Sequence, residues 1–95
     1  MLNRKNRKLG LKCIKLYTGR ENMISLNEEC AELSKEVCKA LRGGVRAGKL
    51  KEELVDVIVM AERLRMIINV SDKEINKMAA RKLKRAIRER KRHKL

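Results

Sequence analysis

Ninety-five residues are enough for one domain and leave little room for a second, because enclosing a core takes roughly 50 to 200 residues. The chain has no proline, tryptophan or phenylalanine and a single tyrosine, set among abundant Leu, Ile, Val, Met, Ala, Lys and Glu; this is helix-forming composition, and it excludes a β-rich or disulfide-framed protein. The formal charge of +14 belongs to the ends: residues 1–20 hold seven Lys/Arg and no acid, and residues 78–95 hold nine against Glu89 alone, while residues 21–77 hold ten basic and eleven acidic side chains.

Three cysteines, Cys13, Cys30 and Cys38, form no C-x-x-C pair and are odd in number, which points to a reducing, cytoplasmic setting. Neither a signal-peptide core nor an apolar run of about 18 residues is present, so no membrane association is expected. His93 stands alone, leaving no material for a histidine-based metal site or catalytic triad.

In chain order, a first helix is expected over residues 2–17, with Leu9, Cys13, Leu16 and Tyr17 as a weak apolar stripe. A second runs from about Arg20 to Arg42 and carries Leu26, Cys30, Leu33, Val37 and Leu41 at three- and four-residue spacing. Gly43-Gly44 stops it. The loop GGVRAGKL that follows nearly spells a phosphate-binding loop, but Leu50 replaces the required Ser/Thr hydroxyl and a helix rather than a strand precedes it. It reads as a glycine-rich turn whose Arg46 and Lys49 can touch an anion.

The third helix, about Gly48 to Asn69, has its main stripe at Leu50, Leu54, Val57, Ala61, Leu64 and Ile68. Val55, Val59, Met66 and Val70 form a second stripe roughly opposite, so this helix is expected at the centre with covers on both sides, one of them a second protomer. Ser71-Asp72-Lys73-Glu74 is a capping-box sequence that opens a fourth helix with Ile75, Met78, Ala79, Leu83, Ala86 and Ile87 on its apolar face. The expected fold is therefore all-α, an antiparallel bundle of about four helices in one domain over 1–95, with a basic N-terminal segment (1–20) and a basic tail (88–95).

Two stretches carry the chemistry. EECAEL (Glu28 to Leu33) and EELVDV (Glu52 to Val57) both read Glu-Glu-x-x-acid-apolar, twenty-four positions apart. Glu29 and Glu32 on the second helix, and Glu53 and Asp56 on the third, form i,i+3 pairs on corresponding edges of the two apolar stripes. Antiparallel packing through those stripes brings the edges together. Two like charges ~5 Å apart at an effective dielectric near 20 repel by about 3 kcal/mol, so converging carboxylates call for a neutralising cation. An all-oxygen donor set points to Mg²⁺, with Mn²⁺ as the alternative, and such a cation recruits phosphate oxygens and activates water for phosphoanhydride hydrolysis.

On these boxes, Glu29-Cys-Ala-Glu32 followed after twenty residues by Glu53-Leu-Val-Asp56, the chain resembles the MazG-like, all-α nucleoside triphosphate pyrophosphohydrolases. The stretch YTGRENMISLNEECAEL is similar to that family's lead into its first acidic box, and the capped fourth helix with Lys82 and Arg85 resembles its basic last helix; residues 17–90 are covered. The resemblance implies Mg²⁺-dependent cleavage of a (deoxy)nucleoside triphosphate to the monophosphate and pyrophosphate by a dimer or tetramer. Carried over, Glu29, Glu32, Glu53 and Asp56 are the metal ligands, and one of the acids, with neighbouring Glu28 as a candidate, orients the attacking water. Lys39, Lys82 and Arg85 become candidate phosphate contacts. Met23 occupies a position where relatives often carry Gln, and with Tyr17 the only aromatic, base contacts fall to aliphatic and arginine side chains. The alternative is a non-enzymatic helical module whose basic ends bind nucleic acid.

Overall fold

In the computed structural model, which describes residues 1–44 and 47–92, the chain forms four α-helices and no strand among the described residues. They are α1 (Arg4–Leu16), α2 (Gly19–Leu41), α3 (Ala47–Ile67) and α4 (Asp72–Arg92), so the all-α architecture expected from composition is present. No described helix is long and apolar enough to cross a membrane.

Local signals set each boundary. Asn3 caps α1 by accepting from the Asn6 amide at 2.9 Å. Thr18 and Glu21 form a reciprocal capping box at the start of α2, with Glu21 Oε1 accepting from Thr18 N at 2.8 Å and Thr18 Oγ1 accepting from Glu21 N at 3.0 Å. At the other end Gly43 takes φ +86°, its amide donates to Ala40 O at 3.0 Å and the Gly44 amide donates to Lys39 O at 2.9 Å. That is the Schellman pairing, which needs a residue free to adopt the left-handed region. Asn69 plays the same part after α3, with φ 58° and the Val70 amide donating to Arg65 O at 3.1 Å. The Ser71–Glu74 box then opens α4 as read from the sequence, Glu74 N donating to Ser71 Oγ at 3.1 Å.

α2 and α3 form the main interface, and α1 packs on α3. The pairing of α2 with α3 is antiparallel: Glu29 approaches Glu53 and Asp56, whereas Leu26, earlier in α2, borders Val57, Ala61 and Leu64, later in α3. α1 approaches through Gly10, buried where an added Cβ would lie 3.1 Å from Met66 Cε. The expected α1 stripe is only partly used, since Leu9, Leu16 and Tyr17 remain exposed.

The buried faces differ from the apolar stripes. On α2 the positions turned inward are Asn22, Leu26, Glu29, Leu33, Glu36 and Ala40, rotated by about 60° from the stripe centre. Cys30, Val37 and Leu41 stay exposed. On α3 the deeply buried residues are Glu53, Met60 and Glu62, while Leu54 and Ile68 of the main stripe and Val55 and Val59 of the second are exposed. Met60 is the one buried hydrophobic residue among those described. Leu26, Val57, Ala61, Leu64, Ile68 and Ile75 line an open apolar groove of about 360 Å³ beside the α2–α3 seam.

α4 forms no extended interface with the other helices and buries no residue. Its root is held by polar contacts. Arg65 donates to Glu62 Oε2 through Nε (3.0 Å) and Nη2 (2.7 Å), to Val70 O through Nη1 (3.0 Å), and pairs with Asp72 Oδ1 at 2.9 Å. Arg7 of α1 reaches the same Asp72 at 3.5 Å. With α4 extended, the radius of gyration is 16.1 Å, against about 12 Å for a compact chain of this length.

Glu62 is buried, and removing its partner leaves an uncompensated charge. Arg65→Met is expected to cost about 3 kcal/mol in urea denaturation, and the double variant Arg65→Met/Glu62→Leu to recover most of that loss.

Candidate metal centre

The site lies in the α2–α3 seam. Asn22, Glu29 and Glu36 are spaced seven residues apart, two helical turns, and so form a line along α2 facing α3. Across the seam stand Glu53 and Asp56. One carboxylate oxygen from each of Glu29, Glu53 and Asp56 lies within 4.8 Å of the others, so the two acidic boxes do converge. Glu53 is 4% exposed; Glu29 and Asp56 are half-buried.

Electrostatics follow from that crowding. Loss of water pushes the Glu29 carboxyl above its ordinary 4.5, and the neighbouring Asp56, Glu53, Glu32 and Glu28 charges add to the shift. Lys49, one turn before Glu53, places Nζ 2.8 Å from Glu53 Oε1, and this hydrogen bond raises the lysine above its usual value. Glu36, 6% exposed, is paired with Lys39 Nζ at 3.2 Å. The lysines thus supply part of the neutralisation within the chain.

The donor set fits a hard divalent cation, since its oxygens already converge and include neither sulfur nor nitrogen. Around Mg²⁺ neighbouring ligand oxygens sit about 3.0 Å apart and opposite ones about 4.2 Å, so oxygens within 4.8 Å of one another have to draw together for all three to reach one ion.

Of the expected ligands, Glu32 is exposed and lies outside the group of three, although its charge is felt at Glu29. Glu28 is exposed beside it. Lys39 is engaged by Glu36. Lys82 and Arg85 are carried on α4, beside Met78 and Arg81, on a helix that makes no extended interface with the α2–α3 pair. Lys49 is engaged by Glu53 of its own helix; Arg46 and Val45 of the same loop lie outside the described residues, as do His93, Lys94 and Leu95. The sequence reading missed Glu36 and Asn22 on the buried line. Their signal is the i,i+7 spacing from Glu29, visible only once polar residues are admitted to a buried face.

Compared with known proteins, the chain matches no family model, and no curated protein or solved structure matches it significantly.

Because the folded Glu29 pKa is raised, its contribution to stability is present below the unfolded value of 4.5 and is lost as pH rises through the folded value. In metal-free protein, Glu29→Gln is therefore expected to melt a few degrees higher than the parent at pH 7 and at the same temperature below about pH 4. Saturating Mg²⁺ at pH 7 should raise the parent's Tm, by about 2.7 kcal/mol equivalent at a hundredfold excess over Kd, and should raise that of Glu29→Gln far less.

Proposed function

We propose that this chain is a Mg²⁺-dependent nucleoside triphosphate pyrophosphohydrolase of the MazG-like kind, cleaving a (deoxy)nucleoside triphosphate to its monophosphate and pyrophosphate. The observation that carries the reading is the meeting of Glu29, Glu53 and Asp56 from two matching acidic boxes on successive helices. Mn²⁺ is the alternative ion.

In this reading Glu29, Glu53 and Asp56 hold the cation, with Glu32 joining from the rim of the cluster. The bound ion contributes charge neutralisation at the phosphate oxygens and lowers the pKa of water. Glu28 or an unligated oxygen of the cluster accepts a proton as water oxygen bonds to the α-phosphorus. The α–β phosphoanhydride bond breaks, and pyrophosphate leaves with the electron pair of that bond. Lys39, Lys82 and Arg85 are the candidate cationic contacts to the phosphates. Lys49 balances the Glu53 charge at 2.8 Å, a role that a doubly charged ion held by Glu53 would share.

A homo-oligomer, dimer or tetramer, completes the protein. Supporting this are Met60 as the one buried hydrophobic residue among those described, the open groove along Leu26, Val57, Ala61, Leu64 and Ile68, and the exposed Leu54. A second copy seated there covers the surface that the protomer leaves uncovered, a gain of roughly 25 cal/mol per Å² of apolar area.

Incubation with a panel of canonical and modified nucleotides should give EDTA-sensitive release of pyrophosphate, not stepwise phosphate loss. Glu53→Gln is expected to lower turnover at least about a hundredfold while keeping its helical circular dichroism. Light scattering should give a mass at least twice the protomer's 11.0 kDa, and Leu54→Glu/Ile68→Glu should shift it to the protomer mass.

A further inference from the structure

We infer that α4 is a DNA-binding arm that grips the phosphate backbone of double-stranded DNA from the major groove, an interaction separate from the acidic site. Position by position at 100° per residue, Lys77, Arg81, Lys84, Arg88 and Lys91 fall within about 80° of arc. Arg85 and Arg92 flank them. The apolar positions Ile75, Ala79, Leu83, Ala86 and Ile87 occupy a sector centred about 140° away, interrupted by Asn76 and Arg90. The charge is therefore sorted onto one side of the helix.

That side is open. Every residue from Ala80 to Arg92 is exposed, and α4 forms no extended interface with α1, α2 or α3. On the α2–α3 hairpin Lys39 has Glu36, Lys49 has Glu53 and Arg65 has Glu62 within ion-pair distance. In the last three turns of α4 the acid present is Glu89, 3.9 Å from Arg85 and off the basic sector. Mutual repulsion among the remaining cations favours an external polyanion, whose binding releases condensed counterions.

The occupant follows from shape and composition. An α-helix with side chains is about 10–12 Å across and the B-form major groove is about 12 Å wide, so a helix that stands clear of its own fold can enter it, whereas the A-form major groove is too narrow. From Lys77 to Lys91 the cations step along the axis every three or four residues, about 5–6 Å, over about 21 Å. A lipid surface is the poorer match, because an interfacial helix relies on bulky aromatic and aliphatic anchors, and the apolar sector here offers Ile75, Leu83 and Ile87 with two alanines and no aromatic ring. From residue 77 to 92 the basic sector carries no Asn, Gln, Asp or Glu to read adenine or cytosine, so recognition is chiefly of backbone and groove and only weakly of sequence.

Fluorescence anisotropy with a labelled duplex of about two helical turns, ~21 bp, and the full chain tests this. Binding at 50 mM salt should weaken by about a thousandfold at 200 mM, as six phosphate contacts require. Lys77→Gln/Arg81→Gln/Lys84→Gln/Arg88→Gln, which keeps good helix formers, should bind at least about a hundredfold more weakly with unchanged circular dichroism and unchanged Mg²⁺-induced stabilisation. A matching α1 variant, Arg4→Gln/Lys5→Gln/Lys8→Gln/Lys12→Gln, should retain most of the affinity. Absence of DNA binding at 50 mM salt, binding without salt dependence, an α4 variant that binds like the parent, or capture by anionic vesicles without capture by duplex would each overturn the proposal. Since none of these readouts uses nucleotide hydrolysis, failure here and failure of the pyrophosphohydrolase reading are told apart.

Discussion

The structure depends on a seam between α2 and α3 that buries carboxylates where a small helical protein would ordinarily bury leucine. Glu53 and Glu36 are almost fully out of solvent, and Glu29 and Asp56 lie half-buried in the same cluster as Glu53. Charge in that position demands charge in reply, because leaving one partner unmatched in such surroundings is strongly destabilising. Lys49 and Lys39 answer from their own helices at 2.8 and 3.2 Å. The same pattern returns at the far end of the seam, where Arg65 answers Glu62.

Giving the seam to polar groups displaces the apolar ones. Leu54, Val55, Val59 and Ile68 on α3, and Val37 and Leu41 on α2, lie at the surface, and the groove along Leu26 and Leu64 is open. Charge separation along the chain has a parallel effect at its C-terminal end. The cations of α4 remain in water, the helix buries no residue, and it projects from the body. One sequence property, the segregation of acid to the middle and base to the ends, thus accompanies both the site and the outline.

The four helices were legible because their limits are written in short-range chemistry: Gly43-Gly44 for a left-handed stop, Ser71 and Glu74 for a reciprocal cap. The Thr18–Glu21 cap was equally available and places the start of α2 at Gly19. Helix faces were read less well. Hydrophobic periodicity locates the side that avoids water, not the side that meets the neighbouring helix of the same chain, and here the two differ by about 60° on α2. The acidic boxes gave Glu29, Glu53 and Asp56 because spacing along a helix fixes direction whatever the residue type. Glu32 falls outside the cluster because the same rotation turns it toward solvent. Gly10 was silent, since an absent side chain leaves no mark in a hydrophobic pattern although it lets Met66 approach.

Between α3 and α4 only residues 68–71 intervene, and the bearing of the whole last helix is set there by one guanidinium shared among Glu62, Asp72 and the Val70 carbonyl. A rod of 21 residues is about 31 Å long, so a 10° tilt at that pivot carries its far end through about 5 Å. Arg65 therefore acts as the fulcrum of a lever, and small rearrangements of a few polar contacts near it are magnified into large displacements at the tip.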